Sequence, residues 1–154
     1  MKRYSVWLFC AASIVILLAG CGSSKDWEPT VYETVNDLEG VIMTVVEGTV
    51  SPTGLTVLIE NNSDKQYIYG EYFMLEKKIE GEWYQVPIEF EDNYGFNDIG
   101  YELNPSDIGE WIVDWDWLYG SLDPGEYRIV KDISDFREPG DYDKYNLAAE
   151  FTVD

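Results

Sequence analysis

Apolar and polar positions along this chain fall into two regimes. From Ser5 to Gly20 the residues are uncharged and mostly apolar without interruption. From Val41 onward the apolar residues come in short runs, several alternating with polar ones, divided by turn-forming clusters. Alternation with a period of two marks a strand with one buried face. It predicts strands over residues 41–46, 55–60, 72–79, 82–87, 109–115, 126–131 and 147–153. Between them, Ser51-Pro52-Thr53-Gly54, Asn61-Asn62-Ser63-Asp64, Glu80-Gly81 and Leu122-Asp123-Pro124-Gly125 read as turns. The cleanest run sets Trp111, Val113 and Trp115 on one face and Ile112 and Asp114 on the other. Leu118-Tyr119-Gly120 predicts a short helical turn. No segment sustains a 3.6-residue period, so the expected class is all-β, an antiparallel β-sandwich of about seven strands.

The first regime has a different meaning. Lys2 and Arg3 precede the uncharged run, which ends in small residues, as a secretory signal does. The run falls short of the roughly 20 apolar residues that a membrane-spanning helix requires. Leu18-Ala19-Gly20-Cys21 resembles the bacterial lipobox, in which the cysteine is lipidated before cleavage on its N-terminal side. The expectation is a signal peptide over 1–20 and a lipid on Cys21, leaving the mature chain on the outer face of a membrane. Two acyl chains anchor stably where one does so only marginally. Residues 21–38 then read as the lipidated cysteine and a flexible acidic tether, because like charges extend a linker. Trp27, Val31 and Tyr32 are the tether residues able to dock. Residues 39–154 form the domain.

Charge and missing residue types narrow the function. Thirty Asp and Glu face ten Lys and Arg, a net charge of −20. Nucleic-acid binding needs cations for phosphate and is discounted. There is no histidine, which removes Ser-His and Cys-His nucleophile systems and His-bearing zinc sites. Of two cysteines, Cys10 leaves with the signal and Cys21 carries the lipid, so no disulfide braces the mature domain. No cofactor is expected.

Three separated blocks carry a family resemblance. They are E-Y-F-M-L-E-K-K-I-E-G-E-W-Y-Q-V-P over 71–87, the run over 109–131, and A-E-F-T-V over 149–153. In this order they resemble the bacterial immunoglobulin-like domain found in lipoproteins and other exported proteins of Bacillus-type and Clostridium-type bacteria. The resemblance spans roughly residues 41–154. It implies an immunoglobulin-like sandwich and an exported location, and no activity. Within it L-x-P-G-x-Y, here Leu122, Pro124, Gly125 and Tyr127, resembles the tyrosine corner of such sandwiches.

Candidate sites follow from residue types. Acids cluster at Glu89, Glu91, Asp92 and Asp98, at Asp114 and Asp116, and around Asp132, Asp135, Asp141 and Asp143. None has the EF-hand spacing, and Asp141 and Asp143 are at best weak calcium candidates. So many acids make any carboxylate pair non-specific evidence for glycoside hydrolysis, and no catalytic role is assigned. Among the aromatics, Trp111 and Trp115 belong to the core. Trp117 and Tyr119 lie past the clean alternation and are expected to be exposed, with Tyr94 and Tyr101 on loops, as a possible binding surface. The leading expectation is a non-enzymatic module gripping an unidentified protein or cell-envelope partner. One alternative is an inhibitor of an exported enzyme, working through a protruding loop at 88–107. Another is a calcium-dependent adhesion or structural module.

Overall fold

The structure, a computed structural model, describes residues 26–90 and 93–154. The signal segment and Cys21, with Glu91 and Asp92, lie outside the described residues. Nine strands and one helical turn follow in chain order. They are β1 (Val41–Val45), β2 (Gly54–Asn61), β3 (Tyr67–Tyr69), β4 (Met74–Ile79), β5 (Glu82–Gln85), β6 (Tyr101–Leu103), β7 (Ile108–Asp114), α1 (Asp116–Tyr119), β8 (Gly125–Glu138) and β9 (Asp141–Val153). All pairings are antiparallel. One sheet has the order β1-β2-β7. In the other, β8 pairs with β9 on one side and with β4 and β3 on the other, while β5 and β6 extend β4 and β3 outward.

The sheets meet through the apolar residues of their alternating strands. Leu55, Val57 and Ile59 of β2 face Leu75, Tyr127, Ile129 and Ile133 of the larger sheet in a single core. Trp115 is fully buried and lies 5.5 Å from the Phe151 ring, and its indole N–H donates to the Pro52 carbonyl at 2.9 Å. Tyr127 stacks on Phe151, with ring centroids 5.7 Å apart. Gly54 opens β2 because a Cβ there would stand 2.4 Å from the Val113 carbonyl oxygen.

About seven strands were expected, and nine are present among the described residues. β3 and β6 are three residues each, too short to show a period. The β8–β9 hairpin runs on through residues 132–146, where charged side chains conceal the pairing. Asp132, Asp135, Asp141 and Asp143 thus belong to strands and not to a loop.

The expected tether is corrected over residues 28–38. The Gln85 amide donates to the Glu28 carbonyl, and the Thr30 amide to the Trp83 carbonyl, so this segment pairs with the edge of β5. It then crosses the outer face of the larger sheet, where Tyr32 is half-buried near Tyr72, Glu76 and Asp132. Burial, and the Tyr72 side chain beside it, push the Tyr32 hydroxyl well above its ordinary range. Asn36 completes the crossing at the opposite edge. Its amide donates to the Asn146 carbonyl, and its side chain both donates to the Ala148 carbonyl and accepts from the Ala148 amide. Leu38 is buried in the core. This strap explains why Val130 and Ala148 are buried although neither belongs to the core cluster. It also covers strand edges that would otherwise invite pairing with another chain. Asn36→Ala is expected to cost about 2 kcal/mol, from two side-chain hydrogen bonds lost at β9. Urea unfolding checks this, and unchanged stability would mean that the strap holds nothing there.

Candidate functional site

The site forms where β7, α1 and the loop from Val86 to Gly100 meet. Past Trp115 the chain leaves the strand for one helical turn. A helix rotates each residue by about 100°, so the two-residue alternation no longer applies. Leu118 and Tyr119 therefore turn inward while Trp117 stays out. The expectation of an exposed Tyr119 is thus corrected. It is buried against Phe73, and its hydroxyl accepts from the Leu75 amide. Burial pushes this hydroxyl up to about 12.

Phe96 is the hub above that floor. Its ring lies 5.6 Å from Phe73, 5.7 Å from Trp117 and 6.5 Å from Tyr94, and Phe90 reaches Trp117 at 6.3 Å. All four contacts are edge-to-face, the arrangement favoured by the ring quadrupole. Phe90, Tyr94 and Trp117 remain more than a third exposed. Beside them opens a groove of about 250 Å³, lined by Glu71, Phe73, Phe96, Trp111, Asp114 and Trp117 among others.

Two carboxylates stand in the groove wall. Glu71 accepts from the Tyr101 hydroxyl at 3.0 Å and from the Asn97 side-chain amide at 2.8 Å. Its hydrogen bond holds the Tyr101 hydroxyl above its usual value. Asp114 accepts from the Asp116 amide through one oxygen, and its backbone carbonyl takes the Trp117 indole N–H. Behind Trp111 lies Lys131, with no exposed surface, its ammonium 4.5 Å from the Trp111 ring and 5.8 Å from that of Tyr69. It donates to the Tyr72 carbonyl. Burial lowers it to about 8, against the opposing pull of Asp132 and Glu71.

Of the four aromatic candidates, Trp117 and Tyr94 meet at Phe96, Tyr101 joins through Glu71, and Tyr119 underlies them. Sequence reasoning missed Phe90, Phe96 and Glu71. The available signal was apolar content in an apparent loop, where Ile88, Phe90, Tyr94, Phe96 and Ile99 recur among Asn, Asp and Gly. The loop offered for the inhibitor reading is tied to the domain at several described points. Its Glu89 amide bonds the Leu118 carbonyl, Phe96 is inserted in the aromatic cluster, and Asn97 is tied to Glu71.

The weak calcium pair is corrected too. Asp141 and Asp143 both bind the Arg137 guanidinium, at 2.6 and 3.1 Å. That cation holds the Asp141 carboxyl below its ordinary value. No group of three or more metal-ligating side chains occurs among the described residues. Asp114 and Asp116 are both exposed, but Asp116 belongs to α1 and not to the strand. A larger hollow of about 540 Å³ lies among residues 37–40, 62–65, Tyr67 and Tyr145. Its one cation, Lys65, is engaged with Asp135 at 3.0 Å.

The L-x-P-G-x-Y residues sit at the turn into β8. Leu122 is buried, and Tyr127 donates its hydroxyl to the Asp123 carbonyl at 2.7 Å. Tyr127→Phe is expected to lower stability by about 1 kcal/mol through that single bond. Unchanged thermal unfolding would remove the corner from the list of stabilising features.

A family model described as a bacterial Ig-like domain matches residues 37–152. No curated protein and no solved structure matches the chain.

Proposed function

Since the chain belongs to the bacterial Ig-like domain family, we propose that it is a membrane-anchored, non-enzymatic interaction module that grips its partner through the groove around Phe96. The observation carrying this reading is one open groove lined by Phe73, Phe96, Trp111 and the exposed Trp117, with the partly exposed Phe90 and Tyr94 packed on Trp117 and Phe96 beside it. Aromatic side chains gathered at a concave surface are what interfaces and ligand sites use. The anchor is supported by the lipobox-like Leu18-Ala19-Gly20-Cys21 behind its charged and apolar leader. Trp27 packs against the core and the strap is paired from Glu28 onward, so no more than residues 22–26 separate Cys21 from the domain. Five residues span at most about 22 Å between their flanking Cα atoms, so the domain works close to the bilayer.

Two measurements test this. Cys21→Ser is expected to abolish incorporation of labelled fatty acid and to release the protein from the membrane fraction. Retention of both would overturn the anchor. A partner cross-linked to the full-length protein in the envelope is expected to be lost with Trp117→Ala and Phe96→Ala, at unchanged secondary structure. Capture that is equal in both variants would overturn the groove.

A further inference from the structure

Resting on that reading of the groove, we propose that its occupant is an extended peptide segment of a partner protein. The segment adds to the free edge of β7 and places a lysine or arginine side chain between Glu71 and Asp114.

The first support is the state of the strand edges. In the larger sheet, the strap pairs with the edge of β5, Asn36 occupies that of β9, and the remaining edge strand, β6, is three residues long, too short to take an extended peptide. In the smaller sheet, β1 lies beside β9. Among the described residues β7 pairs only with β2. Its bonding parity follows from its flanks. The Asp107 carbonyl accepts from Asn61, and the Trp115 amide donates to Thr53, so odd-numbered residues face β2. In an antiparallel pair the residues between them turn their main-chain groups the other way. Ile108, Glu110 and Ile112 therefore present amides and carbonyls outward. No side chain among the described residues bonds these groups, whereas the Asp114 carbonyl is closed by Trp117. The groove is lined by consecutive β7 residues from both faces of the strand, so it runs along this edge. Adding a strand to such an edge is a recognised peptide-binding mode.

The second support is charge complementarity. Charged side chains, lysine above all, and proline guard an edge against pairing, and acids do so selectively, repelling an acidic strand and admitting a basic one. Here Ile108 and Ile112 alternate with Glu110 and Asp114, and no Lys or Arg lines the groove. Glu71 is held in place by two neutral donors, Asn97 and Tyr101, which leave its charge uncompensated by a salt bridge. Lys131 faces it only from behind Trp111, its ammonium engaged by the Tyr72 carbonyl. The exposed Trp117 ring supplies a face for a cation. The net charge of −20 draws cationic segments toward the domain.

The test uses the full-length protein in detergent micelles and blocked synthetic hexapeptides of sequence Thr-Val-Lys-Val-Thr-Val. Tryptophan fluorescence reads the affinity. Replacing the peptide lysine by norleucine is expected to weaken binding about tenfold, and rising salt to weaken the lysine peptide alone. Glu71→Gln and Asp114→Asn are each expected to weaken the lysine peptide about fivefold and to leave the norleucine peptide unchanged. Asp114→Asn serves as the second variant, because Glu71 also positions Asn97 and Tyr101. N-methylation of alternate peptide amides is expected to abolish binding in one of its two registers only. Equal affinity for lysine and norleucine peptides would overturn the cationic occupant while leaving the groove in place. Indifference to N-methylation in both registers would overturn edge addition. Absence of binding by every peptide at millimolar concentration, or tighter binding of a neutral glycan oligomer, would overturn the inference. Partner cross-linking that survives Trp117→Ala and Phe96→Ala would instead overturn the groove itself.

Discussion

Glu76→Ala is expected to destabilise the domain by about 3–5 kcal/mol, the cost of stranding a buried charge. Glu76 is fully buried, and one of its oxygens meets Arg128 Nε at 2.6 Å. Its other oxygen has no protein hydrogen-bond partner, so the pair is already imperfectly satisfied. Arg128 is sandwiched under the strap. It donates to Thr30 Oγ1 at 3.2 Å, and its guanidinium lies 4.6 Å from the centre of the Trp83 ring. Without Glu76 the guanidinium keeps its charge and loses its counter-ion where only 9% of its side chain meets water. A loss of that size is a large part of the 5–15 kcal/mol that holds a typical domain. The double variant Glu76→Leu with Arg128→Met removes both charges and is expected to recover most of the stability, since apolar replacement of a buried pair is often neutral or better. Urea unfolding of the three proteins decides it. A cost below about 1 kcal/mol for Glu76→Ala would mean that the strap leaves this face hydrated.

Lys131→Met should act in the opposite direction, making the protein more stable at pH 7 by about 1–2 kcal/mol. The lysine ordinarily titrates near 10.5 and is lowered here to about 8, first by burial. Below pH 8 both folded and unfolded chains are protonated at this position, and the full cost of burying the charge is present. Between pH 8 and 10.5 the unfolded chain holds more protons than the folded one, so stability rises with pH. The full rise from this group is on the order of 3 kcal/mol. The gain in Lys131→Met is smaller because the Tyr72 carbonyl loses its donor. Tyr119, pushed up to about 12, works against stability only above pH 10, where the unfolded hydroxyl ionises and the folded one does not. Unfolding curves of both proteins between pH 7 and 10 isolate the lysine, because only the wild type should show its increment over pH 8–10. A less stable Lys131→Met with the same pH slope as wild type would refute the account.

These two residues show where local reading stops. Glu76 and Lys131 look like ordinary solvated charges on alternating strands. Glu76 is buried because a segment more than forty residues upstream crosses the outer face of its sheet. Lys131 is buried because β8 turns it into the core between Tyr69 and Trp111. The strap itself has no periodic signature, since it docks through backbone groups and the scattered side chains of Thr30, Tyr32, Asn36 and Leu38. The aromatic groove was half legible. Trp117, Tyr94 and Tyr101 stand out by type, but Phe96 and Glu71 matter only because the loop folds back onto α1.

By itself the sequence determined what depends on neighbours along the chain. That includes the all-β class, the inward Trp111, Val113 and Trp115, the turn before Tyr127, and the acidic character of the surface. Period-two alternation and turn chemistry act over a few residues, so they can be read without knowing what packs opposite. The tertiary structure alone decided that residues 28–38 are part of the domain, that Arg137 takes Asp141 and Asp143, and that Tyr119 supports the groove from beneath. It also decided that β7 keeps an open edge. Each of these depends on which distant segment arrives, and burial and pairing across such distances leave no mark in the local pattern.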